Sequence, residues 1–196
     1  MLIIKHRTNT IAKVKNTPHE FGLEIDLRSN LKKIIVDHEP LKSSIAFENL
    51  LSHYNHKFLI ANIKEEGIED EVVKILKKNN IKNYFLLDVT VPQIIKISKK
   101  KNYPIALRVS KYEHHAGLIN FKKLHKWLWI DTFDKSIPLQ IKDLKKLKKI
   151  GHKLCLVSPE LGDPKVNLLG FIKLNRRLIS YLDAVCTKKP NDWIKF

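Results

Sequence analysis

The sequence predicts an α/β fold, a compact (β/α)8 or TIM barrel, and two observations support this. Short apolar runs alternate with amphipathic stretches of helical period, a pattern typical of parallel strands joined by helical crossovers. Eight principal strand-like runs occur in the chain, and eight strands close this barrel. The chain has 196 residues, fewer than the roughly 250 usual for the fold. We therefore expect short loops and a single domain over 1–196.

The strands are predicted where apolar residues run together or alternate with charged ones. The second run, LEIDLR, alternates so regularly that its charged residues share one face of an extended chain. A short run after it, KIIVDH at 33–38, is expected to pair beside it as an extension. The eight principal strands are expected at 2–7, 23–28, 58–64, 84–90, 104–110, 127–131, 153–158 and 184–187.

The helices are predicted where apolar residues recur every three or four positions. The pattern is strongest at 139–150, and Gly151 follows it where a left-handed cap is expected. Stretch 113–123 is less regular, and we expect it to be only partly helical. A doubly wound open sheet is the alternative fold, but the sequence has no glycine-rich nucleotide loop to support it. The clear helices are expected at 43–54, 68–79, 91–101, 139–150 and 167–182.

The composition narrows the function classes. The formal net charge is +17, and nearly all of the positive charge is lysine spread along the chain. Nucleic-acid readers usually organise arginines, aromatic residues or a recognisable motif, so a lysine-rich solvated surface is favoured over nucleic-acid binding. The charge still predicts attraction of anionic substrates and weak, salt-sensitive association with anionic surfaces.

Compartment follows from the apolar segments and the cysteines. No window approaches twenty consecutive apolar residues, so we expect no membrane span. The first residues lack the pattern of a signal peptide, and the cytoplasm is the expected location. Cys155 and Cys186 both lie inside apolar runs, which favours buried free thiols over a disulfide or a metal pair.

Polar side chains recur near the ends of the predicted strands. In a TIM barrel the active site lies at the carboxyl ends of the strands, and charged residues in apolar strands are costly to bury unless they are paired or functional. We therefore expect a functional polar mouth. Its members are His6, Arg7, Glu24, Asp26, Arg28, His38, Glu39, Asn62, Lys64, Asp88, Arg108, Ser110, Trp129, Asp131, Ser158, Thr187 and Lys188.

The residue types in this mouth indicate chemistry on a phosphate. Glu24 and Asp26 are hard oxygen ligands on one face of a strand, suited to Mg²⁺ or Ca²⁺. Arg7 and Lys64 could hold phosphate oxygens. Further along the chain, Arg108 is a third candidate for the phosphate, and two residues are candidates to line the pocket, Trp129 and Asp131.

Two histidines complete the candidate site. Because imidazole titrates near neutral pH, His6 and His38 can serve as general acid and base. The other seven histidines are expected to have no role. No Cys/His spacing indicates zinc, and no Gly-x-Ser-x-Gly element indicates a serine hydrolase.

The order of these motifs resembles the glycerophosphodiester phosphodiesterase family, within the wider phosphatidylinositol-phospholipase-C-like phosphodiesterase barrels. The family begins with His-Arg, continues with Glu-x-Asp and His-Asp, places an acidic residue one spacer before lysine, and ends in Thr-Asp-x-Pro. The resemblance covers the whole chain. Here the matching positions are His6-Arg7, Glu24-Ile25-Asp26, His38-Glu39, Asn62-Ile63-Lys64 and Thr187-Lys188-Lys189-Pro190.

The resemblance implies a metal-dependent phosphodiesterase acting on a glycerol-, sugar- or polyol-linked phosphodiester. Glu24 and Asp26 would hold Mg²⁺ or Ca²⁺, with Asn62 at the position of a third carboxylate. The insertion that usually follows His-Asp is almost absent, which implies an open site. The neutral Asn62 and the missing insertion also support an alternative, a catalytically degenerate barrel that binds phosphorylated ligands. A binder of nucleic acids or anionic surfaces is the third possibility.

Overall fold

The structure is a computed structural model that describes residues 1–30, 33–41, 44–113 and 126–195. Apart from its first residue, the stretch 113–123 that we expected to be partly helical lies outside these ranges. The chain forms two compact units, an N-terminal unit of residues 5–105 and a C-terminal unit of residues 1–4 with 106–196. Strand β1 (Leu2–Lys5) opens the chain, and all but its last residue belongs to the C-terminal unit. The single domain over 1–196 stays a prediction.

The N-terminal unit is built on a small sheet with helical connections. Strand β4 lies between β2 and β5 and runs parallel to both, while β3 pairs with β2 in the antiparallel sense. Its strands are β2 (Gly22–Asn30), β3 (Lys33–Val36), β4 (Phe58–Ile63) and β5 (Tyr84–Leu87). Its helices are α1 (Ile11–Lys15), α2 (Phe47–Leu51), α3 (Glu69–Lys78) and α4 (Val91–Ser98).

The C-terminal unit repeats the strand–helix alternation. Its strands lie side by side in the order β6, β7, β8, β9 and are all parallel. The backbone N–H of Leu2, in β1, donates to the carbonyl of Asp183, just before β9. The strands are β6 (Ala106–Val109), β7 (Trp127–Ile130), β8 (Lys153–Val157) and β9 (Ala184–Thr187). The helices are α5 (Ile141–Lys149), α6 (Leu168–Leu174), α7 (Arg176–Ile179) and α8 (Pro190–Ile194), with a 3-10 turn at Pro159–Leu161.

Two predicted helices differ from the observed ones. Helix α2 is shorter than predicted because the chain before it pairs with β3 instead: Ala46 bridges Ile35, and the carbonyl of Ile45 accepts from Val36. The long helix predicted at 167–182 breaks at Asn175, whose side-chain amide donates to the carbonyl of Phe171 at 2.9 Å. A side chain that bonds to nearby backbone in this way competes with the helical ladder.

In two of the turns that follow strands, a polar residue has left-handed backbone. Arg7, two residues after the end of β1, has a positive φ of 49°, and Asp88, the residue after β5, has a φ of 60°. Only residues 37–46 separate β3 from α2, as expected for a chain without the usual insertion. Gly151 has a φ of 93°, which confirms the predicted left-handed cap after α5. Both cysteines are buried thiols, and neither is part of a disulfide, as predicted.

A helix that spans a membrane needs about 20 predominantly apolar residues. Within the described ranges, no helix combines the length and the apolar character that a membrane span requires.

Candidate functional site

Strand β2 places two carboxylates side by side in the interior of the N-terminal unit. Because side chains alternate along a strand, Glu24 and Asp26 share one face, and they are only 0% and 1% exposed. The pKa of Glu24 is raised to about 7, mainly by burial and in addition by the negative charge of Asp26. Hydrogen bonds from Asn62 and from the backbone of Arg7, and the charge of Lys64, oppose this rise. Such a pair is costly to bury without compensating cations.

Glu24 is held from three sides. Its Oε2 accepts the backbone N–H of Arg7 at 2.7 Å, and its Oε1 accepts Nδ2 of Asn62 at 2.8 Å. The Nε2 atom of His6 lies 3.8 Å from the same Oε2. The left-handed backbone of Arg7 is uncommon for a residue with a side chain, and non-glycine residues in this region often occur at functional sites.

Asp26 is fixed by a residue that the sequence analysis did not select. The Nδ2 atom of Asn9 donates to Oδ2 of Asp26 at 2.8 Å, and the backbone N–H of Asp26 donates to Oδ1 of Asn9 at 3.1 Å. Lys64 places its Nζ 3.4 Å from Oδ1 of Asp26 and 3.1 Å from Oδ2 of Asp88. One lysine therefore bridges two carboxylates. The only sequence signal for Asn9 was its position just after the His-Arg pair.

Asn62 lies beside both carboxylates, because β4 pairs with β2 in a register that sets Asn62 opposite Asp26. Oδ1 of Asn62 is buried, and no group in the described part of the chain donates a hydrogen bond to it. Oδ1 of Asp26 is also buried without a hydrogen bond from the described residues, and its contact is the ion pair with Lys64. Buried polar atoms are normally satisfied. Two buried oxygens without a hydrogen-bond partner, one of them in an ion pair with Lys64, are suitable ligands for a cation.

His38 and Glu39 form a hydrogen-bonded pair next to Arg7. The guanidinium Nη2 of Arg7 lies 2.6 Å from Nε2 of His38, and Nδ1 of His38 lies 2.7 Å from Oε1 of Glu39. Arginine can only donate, so Nε2 of His38 accepts, and its Nδ1–H donates to Glu39. This assignment makes the ring neutral. The Nε of Arg28 donates to the carbonyl of His38 at 3.1 Å and fixes its backbone.

Arg7 contacts three other polar residues of this unit. Its backbone contacts Glu24, its Nη2 contacts His38, and its Nε lies 3.7 Å from Oδ2 of Asp26. The structure thus brings together seven of the predicted site residues, all in the N-terminal unit. They are His6, Arg7, Glu24, Asp26, His38, Asn62 and Lys64.

The remaining candidates for phosphate binding and for the pocket lie in the C-terminal unit; these are Arg108, Trp129 and Asp131. Arg108 and Trp129 are paired in register on β6 and β7, and a guanidinium nitrogen of Arg108 donates to Oδ2 of Asp131. Trp129 and Asp131 are buried. The Arg108 guanidinium also lies 5.7 Å from the ring centre of the exposed Phe133, which the sequence analysis did not select. Roles for Arg108, Trp129 and Asp131 stay predictions.

The side chains that could bind a metal in this site are two carboxylates and one amide. Within the described residues, no group of three or more His, Cys, Asp or Glu side chains is arranged to hold a metal. Glu24 and Asp26 supply two carboxylates, and the third oxygen next to them belongs to the amide of Asn62. Oxygen ligands of this kind fit Mg²⁺ or Ca²⁺, and the two buried oxygens without a hydrogen-bond partner agree with that fit.

Comparison with known proteins gives structural likeness only. No family model matches the chain, and no curated protein matches it. A glycerophosphodiester phosphodiesterase from Thermotoga maritima is 17% identical with a TM-score of 0.69, covering 100% of this chain and 97% of that one. A glycerophosphoryl diester phosphodiesterase from Parabacteroides distasonis is 12% identical with a TM-score of 0.68, covering 99% and 85%.

The likeness confirms the predicted fold, a (β/α)8 barrel, and agrees with the family resemblance found in the motifs. The same comparison also finds the tryptophan synthase α subunit of Campylobacter jejuni, with 13% identity, a TM-score of 0.57 and coverage of 95% and 86%. That enzyme carries out different chemistry, as its name indicates. The fold alone therefore does not assign an activity, and the side chains have to carry the argument.

Proposed function

We propose that this chain is a phosphoric diester hydrolase of the glycerophosphodiester phosphodiesterase family, in the phosphatidylinositol-phospholipase-C-like superfamily. The substrate class is a glycerol-, sugar- or polyol-linked phosphodiester. The proposal rests on one observation: Arg7 contacts Glu24, Asp26 and His38 at the same time. Three motifs that are separate in the sequence, in the family's order, are thereby joined in one polar site.

Substrate binding is assigned to the cations of the site. The guanidinium of Arg7 and the ammonium of Lys64 would bind the oxygens of the phosphodiester, and Arg108 is a further candidate from the C-terminal unit. When Arg7 turns its donors toward phosphate, Nε2 of His38 loses the hydrogen bond that now occupies its lone pair. Phosphate binding therefore frees a base at the reacting group.

Proton transfer is assigned to the two histidines. Nε2 of His38 takes the proton of the attacking hydroxyl as its oxygen bonds to phosphorus, and the carboxylate of Glu39 stabilises the imidazolium through Nδ1. His6 gives a proton to the leaving alcohol oxygen as its bond to phosphorus breaks. Oε2 of Glu24, 3.8 Å from Nε2 of His6, provides negative charge beside the protonated ring.

Divalent metal dependence is part of the proposal. Glu24, Asp26 and Asn62 would hold Mg²⁺ or Ca²⁺, which when bound supplies positive charge toward the phosphate oxygens. Lys64 would stay near Asp26 and hold the position of its carboxylate. Cytoplasmic residence is also proposed, supported by two buried cysteines that form no disulfide.

A second candidate function rests on Asn62. Its Nδ2 satisfies Oε1 of Glu24 in the protein itself, and a neutral amide adds no charge to attract a metal. A barrel that binds phosphorylated ligands without turnover would keep Arg7 and Lys64 and need no metal. Both candidates share the binding groups and differ in catalysis.

Turnover of a panel of glycerophosphodiesters, with Mg²⁺, Ca²⁺ or EDTA, separates the two. The hydrolase proposal expects metal-stimulated turnover that falls at least about a hundredfold in His38→Ala and is unchanged in His53→Ala, a histidine that we expected to have no role. Equal rates for wild type and His38→Ala would refute hydrolysis by this site. Phosphate-ester binding without turnover would favour the second candidate.

A further inference from the structure

Residues in and next to helix α8 of the C-terminal unit line two cavities of different character. The first, about 320 Å³, is lined by three cations, Lys173, Arg176 and Lys195, together with Asp192 and the apolar Leu169 and Ile172. The second, about 480 Å³, is lined almost entirely by apolar side chains: Met1, Ile3, Ile179, Leu182, Trp193 and Ile194, with Ser180.

The same two segments, α7 and the α8 region, contribute side chains to both cavities. Asp192 and Lys195 of the α8 region line the basic cavity, while Trp193 and Ile194 line the apolar one. Within α7, Arg176 lines the first cavity and Ile179 lines the second. Basic and apolar side chains therefore lie near one short helix, where a molecule with a charged group and an apolar part could contact both.

Three of the apolar side chains that line these cavities are open to solvent, while the others are buried. Leu169 is 58% exposed, Ile194 is 56% exposed and Met1 is 52% exposed. Leu174, next to Lys173 in the chain, is 86% exposed. Large apolar side chains that are scattered singly need no explanation, but several in one place mark an interaction surface.

We propose that this surface, which we call the α8 face and define as Met1, Leu169, Lys173, Arg176, Ile194 and Lys195, docks on a bilayer containing anionic lipid. The cations would contact lipid phosphates, and the exposed apolar side chains would enter the boundary between headgroups and acyl chains. Charge complementarity supports a lipid surface, because three of the four charged residues of the basic cavity are positive. The apolar side chains favour lipid over a nucleic acid, which offers phosphate without a hydrocarbon layer.

The formal net charge of +17 predicts a general attraction to anionic surfaces. The α8 face would give this attraction one defined location on the protein. This inference does not depend on the proposed phosphodiesterase activity. A diffuse lysine surface would bind by charge alone and be screened by salt. The α8 face should retain an apolar contribution that salt does not screen.

Co-sedimentation with vesicles tests the proposal on the full chain. Vesicles of phosphatidylcholine with phosphatidylglycerol should pellet the wild type, and vesicles of phosphatidylcholine alone should pellet much less. The triple variant Lys173→Gln, Arg176→Gln, Lys195→Gln should partition about a hundredfold more weakly, on the order of fivefold per basic side chain. The matched control Lys77→Gln, Lys99→Gln, Lys100→Gln removes the same charge from exposed positions of the N-terminal unit and should bind nearly as well as wild type.

A second variant tests the apolar part. Leu169→Ser with Ile194→Ser keeps every charge, replaces exposed side chains and should lose the binding that persists at high salt. Unchanged circular dichroism would show that each variant is folded. Equal losses in the two triple variants, full binding by the double serine variant at high salt, or no binding to anionic vesicles would each overturn the proposal. Duplex DNA that displaces the protein from vesicles at physiological salt would also count against it.

Discussion

The Nδ2 amide of Asn62 donates a hydrogen bond of 2.8 Å to Oε1 of Glu24, from β4 to β2. The same residue leaves its own Oδ1 buried and without a hydrogen-bond partner among the described residues. Asn62 therefore ties one carboxylate to the protein and presents an oxygen beside the other. We therefore expect the stability of the site, and its affinity for a metal, to depend on this residue.

Asn62→Asp is expected to strengthen metal binding. The change replaces a neutral oxygen ligand by a charged one, and the number of charged ligands tunes affinity for hard cations, so the dissociation constant for Mg²⁺ or Ca²⁺ should fall about tenfold. Titration calorimetry on both proteins measures this. Asn83→Asp, at a position before β5, is the matched control and should leave the affinity unchanged. Equal affinities in wild type and Asn62→Asp would place Asn62 outside the metal site.

The stability of the metal-free protein should fall as the pH rises from about 4.5 to about 7. Glu24 has its pKa raised from 4.5 to about 7 in the folded chain, so in this window the folded state holds a proton that the unfolded chain has lost. By linkage the contribution of Glu24 decreases with pH, by up to about 3 kcal/mol. Denaturant unfolding in EDTA at both ends of the window measures it.

Glu24→Gln provides the control for that pH dependence. The amide keeps the shape of the side chain and cannot titrate, so the fall in unfolding free energy across the window should shrink in the variant. An identical pH dependence in wild type and Glu24→Gln would assign the effect to other groups.

Arg7→Lys should lower turnover although it keeps the charge. Lysine has no planar fork, so it cannot present paired donors to a phosphate as the guanidinium does, and it cannot reproduce the contacts of Arg7 with Asp26 and His38. We expect kcat/KM to fall by about a hundredfold. Steady-state kinetics measures the change, and Arg177→Lys on the exposed surface of α7 is the control. Activity close to wild type in Arg7→Lys would mean that positive charge alone is required.

Asn9→Ala should destabilise the N-terminal unit and misplace Asp26. The variant removes both hydrogen bonds between Asn9 and Asp26, and leaving buried partners unsatisfied costs about 1–3 kcal/mol of unfolding free energy. Urea unfolding measures it. Asn16→Ala, at the end of α1, is the comparison. A loss no larger than in Asn16→Ala would show that Lys64 and Arg7 hold Asp26 without Asn9.

The sequence predicted most of the fold and part of the site, for reasons that differ from one residue to the next. Glu24 and Asp26 were legible because strand alternation is local, and two positions apart means the same face. The helix break at Asn175 could not be predicted from the sequence. Periodicity shows which positions are apolar, but it does not show that a side chain will hydrogen-bond a backbone carbonyl in competition with the helix.

Contacts between distant residues were the least predictable. Arg7 and His38 are 31 positions apart, and their hydrogen bond depends on a left-handed backbone at Arg7 that no local pattern indicated. Asn9 was missed because a polar residue after a strand is common in loops. The family resemblance supplied the order of the motifs, and the structure supplied the contacts that join them.

The most direct test of the central claim is phosphorus NMR of a glycerophosphodiester incubated with the wild-type protein and Mg²⁺ or Ca²⁺. The account predicts that the diester resonance is replaced by that of a phosphate monoester, that EDTA stops the conversion, and that His6→Ala and His38→Ala each abolish it. A diester resonance that remains unchanged with folded, metal-saturated wild type across the glycerol, sugar and polyol diesters would contradict the claim. Conversion at the wild-type rate by both histidine variants would contradict it as well.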